Sequence, residues 1–243
     1  MKGLFIGTSG FSYSHWEKGV FYPEELKKNK KLEYYSGNFN TVELNSSFYH
    51  LPKKETFSNW KGEVPKGFIF SVKVSRYITH IKKLKDSKEP WNNLLERSKG
   101  LDSKLGPFLF QFPPNWKKNK ERLEKLLKNI DGDYKIAFEF RHPSWFCPEI
   151  YEIFENYKNV SFCITDSPNW PSIDDCKGDF VYIRMHGKDK LYSSSYSEKK
   201  LKELSEKIKE YLSNNLEVYC YFNNDAKGNA VSNAKELLRI LKE

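Results

Sequence analysis

The chain contains no run of about 18 consecutive apolar residues, the least that spans a bilayer as a helix. Its start, Met1 to Gly10, holds only a short apolar stretch before glycine and hydroxyl residues, which is not the pattern of a secretory leader. The expectation is a cytoplasmic protein with no membrane partner. Cysteine is sparse and scattered: Cys147, Cys163, Cys176 and Cys220 form no C-x-x-C pair, which argues against a structural zinc or disulfide framework. Cys163 and Cys220 fall inside apolar runs, as buried thiols would. Five histidines are too few for the clusters that hold several zinc ions. The sequence requires no cofactor, and one hard divalent cation on Glu43, Glu139 or Asp166 is the metal reading left open. No composition shift or low-complexity linker divides the chain, so residues 1–243 read as one domain. Nothing in the sequence sets an oligomeric state.

What the chain has is aromatic residues and positive charge. Aromatics make up 16% of the residues, so Phe and Tyr supply much of the core. The formal charge of +9 invites an anionic partner. Much of it lies in Lys27–Lys31, Lys117–Lys120 and Lys199–Lys202, which read as solvated faces or starts of helices. Lys82, Lys83 and Lys85 differ, because they follow Lys73, Arg76 and His80 with Tyr77 interleaved, and that segment is a candidate contact for an extended anion.

Eight short apolar runs recur: Leu4–Ile6, Thr41–Leu44, Phe68–Val74, Phe108–Phe112, Lys135–Phe140, Val160–Thr165, Phe180–Met185 and Glu217–Phe222. Between them the period changes to the helical one, as in Leu123, Leu126, Leu127 and Ile130, in Leu201, Leu204, Ile208 and Leu212, and in Ala234, Leu237, Leu238 and Leu241. Pro23 is placed to start a helix after the first strand, and a shorter helix is expected within Pro52–Lys61. The interval Arg76–Gly100 is the longest between strands and is expected to carry a helix plus an ordered loop over the barrel mouth. Strand and helix alternating eight times predict an α/β fold, a single (β/α)8 TIM-type barrel with a long loop after strand 3.

Each run closes on polar residues: Thr8-Ser9, Glu43 with Asn45, Lys73, Gln111, Glu139 with Arg141, Asp166, Arg184 with His186, and Asn223-Asn224. Buried parallel strands should be apolar throughout, so a shared pocket at the strand ends is the simplest explanation. Residues i and i+2 of a strand share a face. Ala137, Glu139 and Arg141 therefore point together, as do Tyr182, Arg184 and His186, and as do Ser71 and Lys73, Leu109 and Gln111, and Glu43 and Asn45. Their neighbours Phe138, Phe140, Ile183, Met185, Val72, Val74, Phe110 and Phe112 suit the packing of outer helices.

The same residues carry a resemblance. Gly7-Thr8-Ser9-Gly10 with Tyr13 and Trp16, Phe21-Tyr22-Pro23, Val42 to Tyr49, Ile78-Thr79-His80, Phe110 to Pro114, Glu139 to Phe146, Tyr182 to Gly187 and Tyr221 to Asn224 stand in one order. Together they resemble the YecE-like family, a domain of unknown function with a TIM-barrel fold, over about Gly3 to Leu241. The resemblance implies the fold and a site at the strand ends, and leaves the reaction to the side chains.

Glu43, Glu139, Asp166 and His186 are the expected catalytic groups, with Glu43 and Glu139 nearly across the barrel as an acid/base pair. Ser9, Tyr13, Asn45, Tyr49, Lys73, Gln111, Arg141, His142, Trp145, Arg184, Asn223 and Asn224 are the expected substrate contacts. Guanidinium forks match phosphate and carboxylate, and the loops His186-Gly187-Lys188 and Asn223 to Ala230 occupy the place where many barrels bind phosphate. The expectation is an enzyme of hydrolase or isomerase type acting on an anionic, phosphate-bearing substrate such as a sugar phosphate or a nucleic-acid phosphodiester. A nucleic-acid-binding module without catalysis and a glycoside-type carboxylate hydrolase are the alternatives.

Overall fold

All eight apolar runs form strands, because they are rich in β-branched or aromatic residues that pack on both faces of a pleated sheet. In the computed structural model, which describes residues 1–174, 176–187 and 191–243, the first half runs β1 (Leu4–Thr8), α1 (Lys31–Ser36), β2 (Thr41–Leu44), α2 (Ser46–Tyr49), α3 (Lys54–Glu63), β3 (Ile69–Lys73), α4 (Lys88–Ser98), β4 (Leu105–Gln111). It continues with α5 (Lys120–Lys128), β5 (Ile136–Glu139), α6 (Pro148–Glu155), β6 (Val160–Thr165), β7 (Phe180–Met185), α7 (Glu198–Ser213), β8 (Glu217–Phe222) and α8 (Asn229–Ile240). The strands pair in parallel in the order β1-β8-β7-β6-β5-β4-β3-β2, a nearly closed (β/α)8 barrel. No helix among the described residues is long and apolar enough to cross a membrane.

The pleat divides the core in two. Leu109, Ala137, Cys163, Phe180, Tyr182, Tyr219 and Tyr221 fill the barrel interior, with Phe5 and Ile69 against them. Val72, Val74, Phe110, Phe112, Phe138, Phe140, Ile183 and Met185 belong to the larger core between strands and outer helices. Helix ends follow local chemistry: the Asn119 side chain accepts from the Arg122 amide at 3.0 Å to start α5, and Pro148 opens α6, where no amide proton is needed.

The structure departs from the expected pattern in three places. Pro23 starts no helix, because Lys27 is extended (φ −62°, ψ 141°) and breaks the chain before a short 3-10 turn leads into α1. No helix lies between β6 and β7 among the described residues, so the strict alternation fails there. The interval after β3 is mostly helical, with a π-helical turn at Tyr77–Ile81 and then α4, and a short non-helical stretch between them.

The barrel closes differently from how it is built elsewhere. Between β1 and β2 there is one backbone bridge, Ser9 with Glu43, and side chains supply what a ladder would. Asn40 accepts from the Ile6 amide at 3.0 Å and donates to the Leu4 carbonyl at 2.7 Å. The buried Tyr35 hydroxyl accepts from the Thr8 amide at 2.8 Å and donates to the Thr41 carbonyl at 3.1 Å. Gly7 makes this approach feasible, since a Cβ there would lie 2.1 Å from the Thr41 carbonyl oxygen.

Candidate active site

Arg184, on the axis side of β7, is only 1% exposed and forms the floor of the barrel mouth. It joins the two glutamates: Nε lies 2.9 Å from Glu43 Oε2, Nη2 lies 2.8 Å from Glu43 Oε1, and Nη1 lies 2.5 Å from Glu139 Oε2. Glu43 also accepts from the Tyr182 hydroxyl at 2.8 Å and from Ser9 Oγ. Glu139 Oε1 takes Nε and Nη2 of Arg141 at 2.7 and 2.6 Å. The Arg141 guanidinium stacks 3.9 Å from the centroid of Trp170. All four carboxylate oxygens are thus engaged by protein donors, a poor arrangement for a hard cation. No group of three or more His, Cys, Asp or Glu converges as a metal site among the described residues.

Charge settles which groups can move a proton. Burial pushes the Glu139 carboxyl up, but Arg141, Arg184 and His186 outweigh it and hold it well below the usual range. Burial likewise raises Glu43, and Arg184 and Lys73 more than reverse this, leaving it below its ordinary value. His186 is buried and its pKa is lowered, chiefly by loss of solvent. The Asn223 amide nitrogen sits 3.1 Å from His186 Nδ1, which places the ring proton on Nε2, 3.5 Å from Glu139 Oε2. Burial, with Arg184 adding to it, lowers Lys73 from 10.5 to about 7.

Above this floor lies a cavity of about 850 Å³. Tyr13, Asn45, Tyr49, Lys73, Gln111, Arg141, Arg184 and Asn223, all expected contacts, line it. Phe48, Trp60, Arg76, His80 and Tyr192 join them. Lys73 Nζ lies 4.3 Å from the Phe48 ring centroid, and no hydrogen bond or ion pair holds it among the described residues. His80 packs edge-on against the same Phe48 ring at 5.1 Å between centroids, and burial together with Lys73 lowers it to about 4. Asn45 donates to Ser9 Oγ at 2.9 Å while its Oδ1 has no partner.

Other expected contacts lie elsewhere. Ser9, Glu43, Glu139 and His186 stand behind the lining, in the network under it. Asp166 accepts from the His186 amide at 2.6 Å and from the Tyr196 hydroxyl, so it pins the loop after β7 and does not line the cavity. His142 accepts from the Ser144 amide at 3.1 Å and caps a 3-10 turn. Trp145 is stacked 4.1 Å from Phe140 in the outer core and donates to the Trp116 carbonyl. Asn224 is buried and holds the Ser194 carbonyl and Asn233. The Gly187 amide, expected to meet an anion, donates instead to the Tyr196 hydroxyl at 2.6 Å, and Lys188 lies outside the described residues. Trp60 and Tyr192 carry no signal in the sequence that would assign them to the site. Arg76 and His80 had one, in the basic segment after β3.

A family model described as "Protein of unknown function DUF72" matches residues 5–243. The chain is 28% identical to the UPF0759 protein YunF of Bacillus subtilis over 98% of this chain and 94% of that one. Among solved structures it is similar to a DUF72 family protein from Thermotoga maritima, at 36% identity and a TM-score of 0.88 over 99% of both chains. A DUF72 family protein from Enterococcus faecalis is similar at 25% identity and a TM-score of 0.82, over 99% of this chain and 96% of that one.

Proposed function

This chain belongs to the DUF72 family of proteins of unknown function, and from that premise we propose that it is an enzyme whose barrel mouth holds a small anionic, phosphate-bearing substrate. The observation that carries this reading is a charge balance. The cavity lining includes Lys73, Arg76, Arg141 and Arg184 and, among the described residues, no carboxylate. The two carboxylates beneath it already serve Arg184 and Arg141. Lys73 and Arg76 have no ion-pair partner among the described residues, so the pocket carries positive charge that a bound anion would neutralise.

The same balance favours proton transfer of the isomerase kind over hydrolysis by a carboxylate pair. A general acid must hold its proton at working pH, and Glu43 and Glu139 are both kept ionised by guanidinium groups. In this reading they orient Arg184 and Arg141 toward the substrate. His186 buttresses Glu139, Tyr13 and Gln111 orient the ligand, and Lys73 is the group that gains and loses a proton near neutrality.

Calorimetry with inorganic phosphate, glycerol 3-phosphate and glycerol tests the reading. The phosphate compounds should bind at least about tenfold more tightly than glycerol, about 1.4 kcal/mol, and Arg76→Ala should remove most of that preference. Equal affinity for glycerol would overturn it. A short oligonucleotide that binds with steep salt dependence where small phosphates fail would favour the nucleic-acid module instead.

A further inference from the structure

We propose that Lys73 is a nucleophile, and that the substrates of this pocket are anionic aldehydes or ketones that condense with its amine. The inference rests on the anion reading above and divides the two unpaired cations by kind. Arg76 is exposed on the rim of the cavity and is always charged, so it suits the anionic group. Lys73 is half-buried at the C-terminal end of β3, on the axis side.

Nζ rests on the face of Phe48, which attracts a cation weakly and offers no hydrogen-bond acceptor. Two features of its surroundings outweigh that attraction and favour the free amine over the ammonium ion. The carboxylates that could keep it charged, Glu43 and Glu139, are taken by Arg184 and Arg141. Those guanidinium groups line the same cavity and repel a further positive charge. Desolvation beside other cations is how a lysine becomes a nucleophile at neutral pH, and its lowered pKa of about 7 agrees with this geometry. A lysine placed only to bind phosphate would be served better by a carboxylate-free but solvated position, such as that of Arg76.

The chemistry balances without a further reactant. The Nζ lone pair forms a bond to the carbonyl carbon as the C=O π bond breaks toward oxygen, which takes up a proton as the nitrogen releases one, giving a neutral carbinolamine. The resulting carbinolamine loses its hydroxyl as water, with a second proton, as the nitrogen lone pair forms the C=N bond. The product is a protonated Schiff base plus water. His80, a neutral imidazole on the same wall, is able to relay these protons, and the unpartnered Asn45 Oδ1 can accept a hydrogen bond from the carbinolamine hydroxyl. The protonated imine would then acidify the adjacent C–H, which links this step to the isomerase-type reaction.

The test is reductive trapping at neutral pH on the full chain, using cyanoborohydride with glyceraldehyde 3-phosphate or with glyceraldehyde, followed by peptide mass spectrometry. At pH 7 half of a lysine of this kind is free amine against about one part in 3,000 for an ordinary lysine, so even after its lower basicity is allowed for, Lys73 should be modified at least about tenfold faster than other lysines. The rate should rise with pH to a plateau with its midpoint near 7, and Lys73→Arg should lose the adduct while still binding inorganic phosphate. Preferential labelling of Lys73 by both aldehydes alike would support the nucleophile and refute the anion reading. Phosphate binding without preferential labelling of Lys73 would leave the anion reading and overturn this one. If Lys73→Arg fails to fold, the labelling map of the natural chain decides alone.

Discussion

Replacing Arg184 by Met isolates the energetics of the barrel floor. Methionine keeps the length of the side chain and removes the guanidinium from between two buried carboxylates. The loss is unequal. Glu139 keeps both contacts from Arg141, whereas Glu43 keeps only hydroxyl donors, Tyr182 and Ser9. An uncompensated buried charge left by breaking such a pair costs about 3–5 kcal/mol, and in a chain of this length each kcal/mol moves the midpoint by about 2–4 °C. The variant should therefore melt about 6–20 °C below the natural protein at neutral pH. The sign of the pH dependence gives a sharper check. In the natural chain Glu43 and Glu139 are held below the ordinary value of 4.5, so their contribution is full above that value and is lost as pH falls through their folded values. In the variant burial dominates Glu43 and raises it above 4.5, so its contribution is present below that value and is lost as pH rises through the raised one. Urea unfolding over a pH series should show the gap between the two proteins widening from about pH 4 to about pH 7, and adding Glu43→Gln to the variant should recover most of it. A melting point within about 2 °C of the natural chain, or parallel pH profiles, would refute the reasoning.

Gly7→Ala should cost at least about 3 kcal/mol, the upper end of overpacking, because the clash is with the backbone of the neighbouring strand and no side chain can yield; urea denaturation that finds less than about 1 kcal/mol would contradict the closure described for β1 and β2. Lys73→Met should be stabilising with a defined pH dependence. The folded pKa of Lys73, about 7, lies below the ordinary 10.5, so the natural chain loses stability as pH falls between those values, and the advantage of the Met variant should grow over that window and stay constant below it. A difference in unfolding free energy that does not change with pH would show that Lys73 is not desolvated.

Parity carried most of the site. Polar residues at strand ends stand out because strands covered on both faces are otherwise apolar, and the alternation told which of them point toward the axis, as with Glu139 against Phe138 and Phe140. The same signal also arises where a strand-end side chain serves a loop. Asp166 and Asn224 satisfy buried loop amides and carbonyls that have no ladder, and nothing in their spacing separates that role from a ligand contact. Trp145 follows a strand end as a stacking residue would, yet the Phe140 and Trp116 rings around it come from segments whose proximity only the folded chain reveals. The distance between Glu43 and Glu139 was equally hidden, since a single arginine three-dimensionally between them decides whether they are an acid/base pair or a clamp.

The junction of β1 and β2 has a consequence for how this barrel responds to change over generations. A ladder of main-chain bonds survives almost any substitution, because every amino acid but proline brings the same donor and acceptor. A junction fastened by Asn40, Tyr35 and the absence of a side chain at Gly7 can be undone by single codon changes. Ser9 and Glu43, which meet across that junction, are also the residues that grip Arg184. The Ser9 and Glu43 side chains, bonded to each other across the junction and both to Arg184, are the positions where a change in the pocket also touches the closure of the barrel.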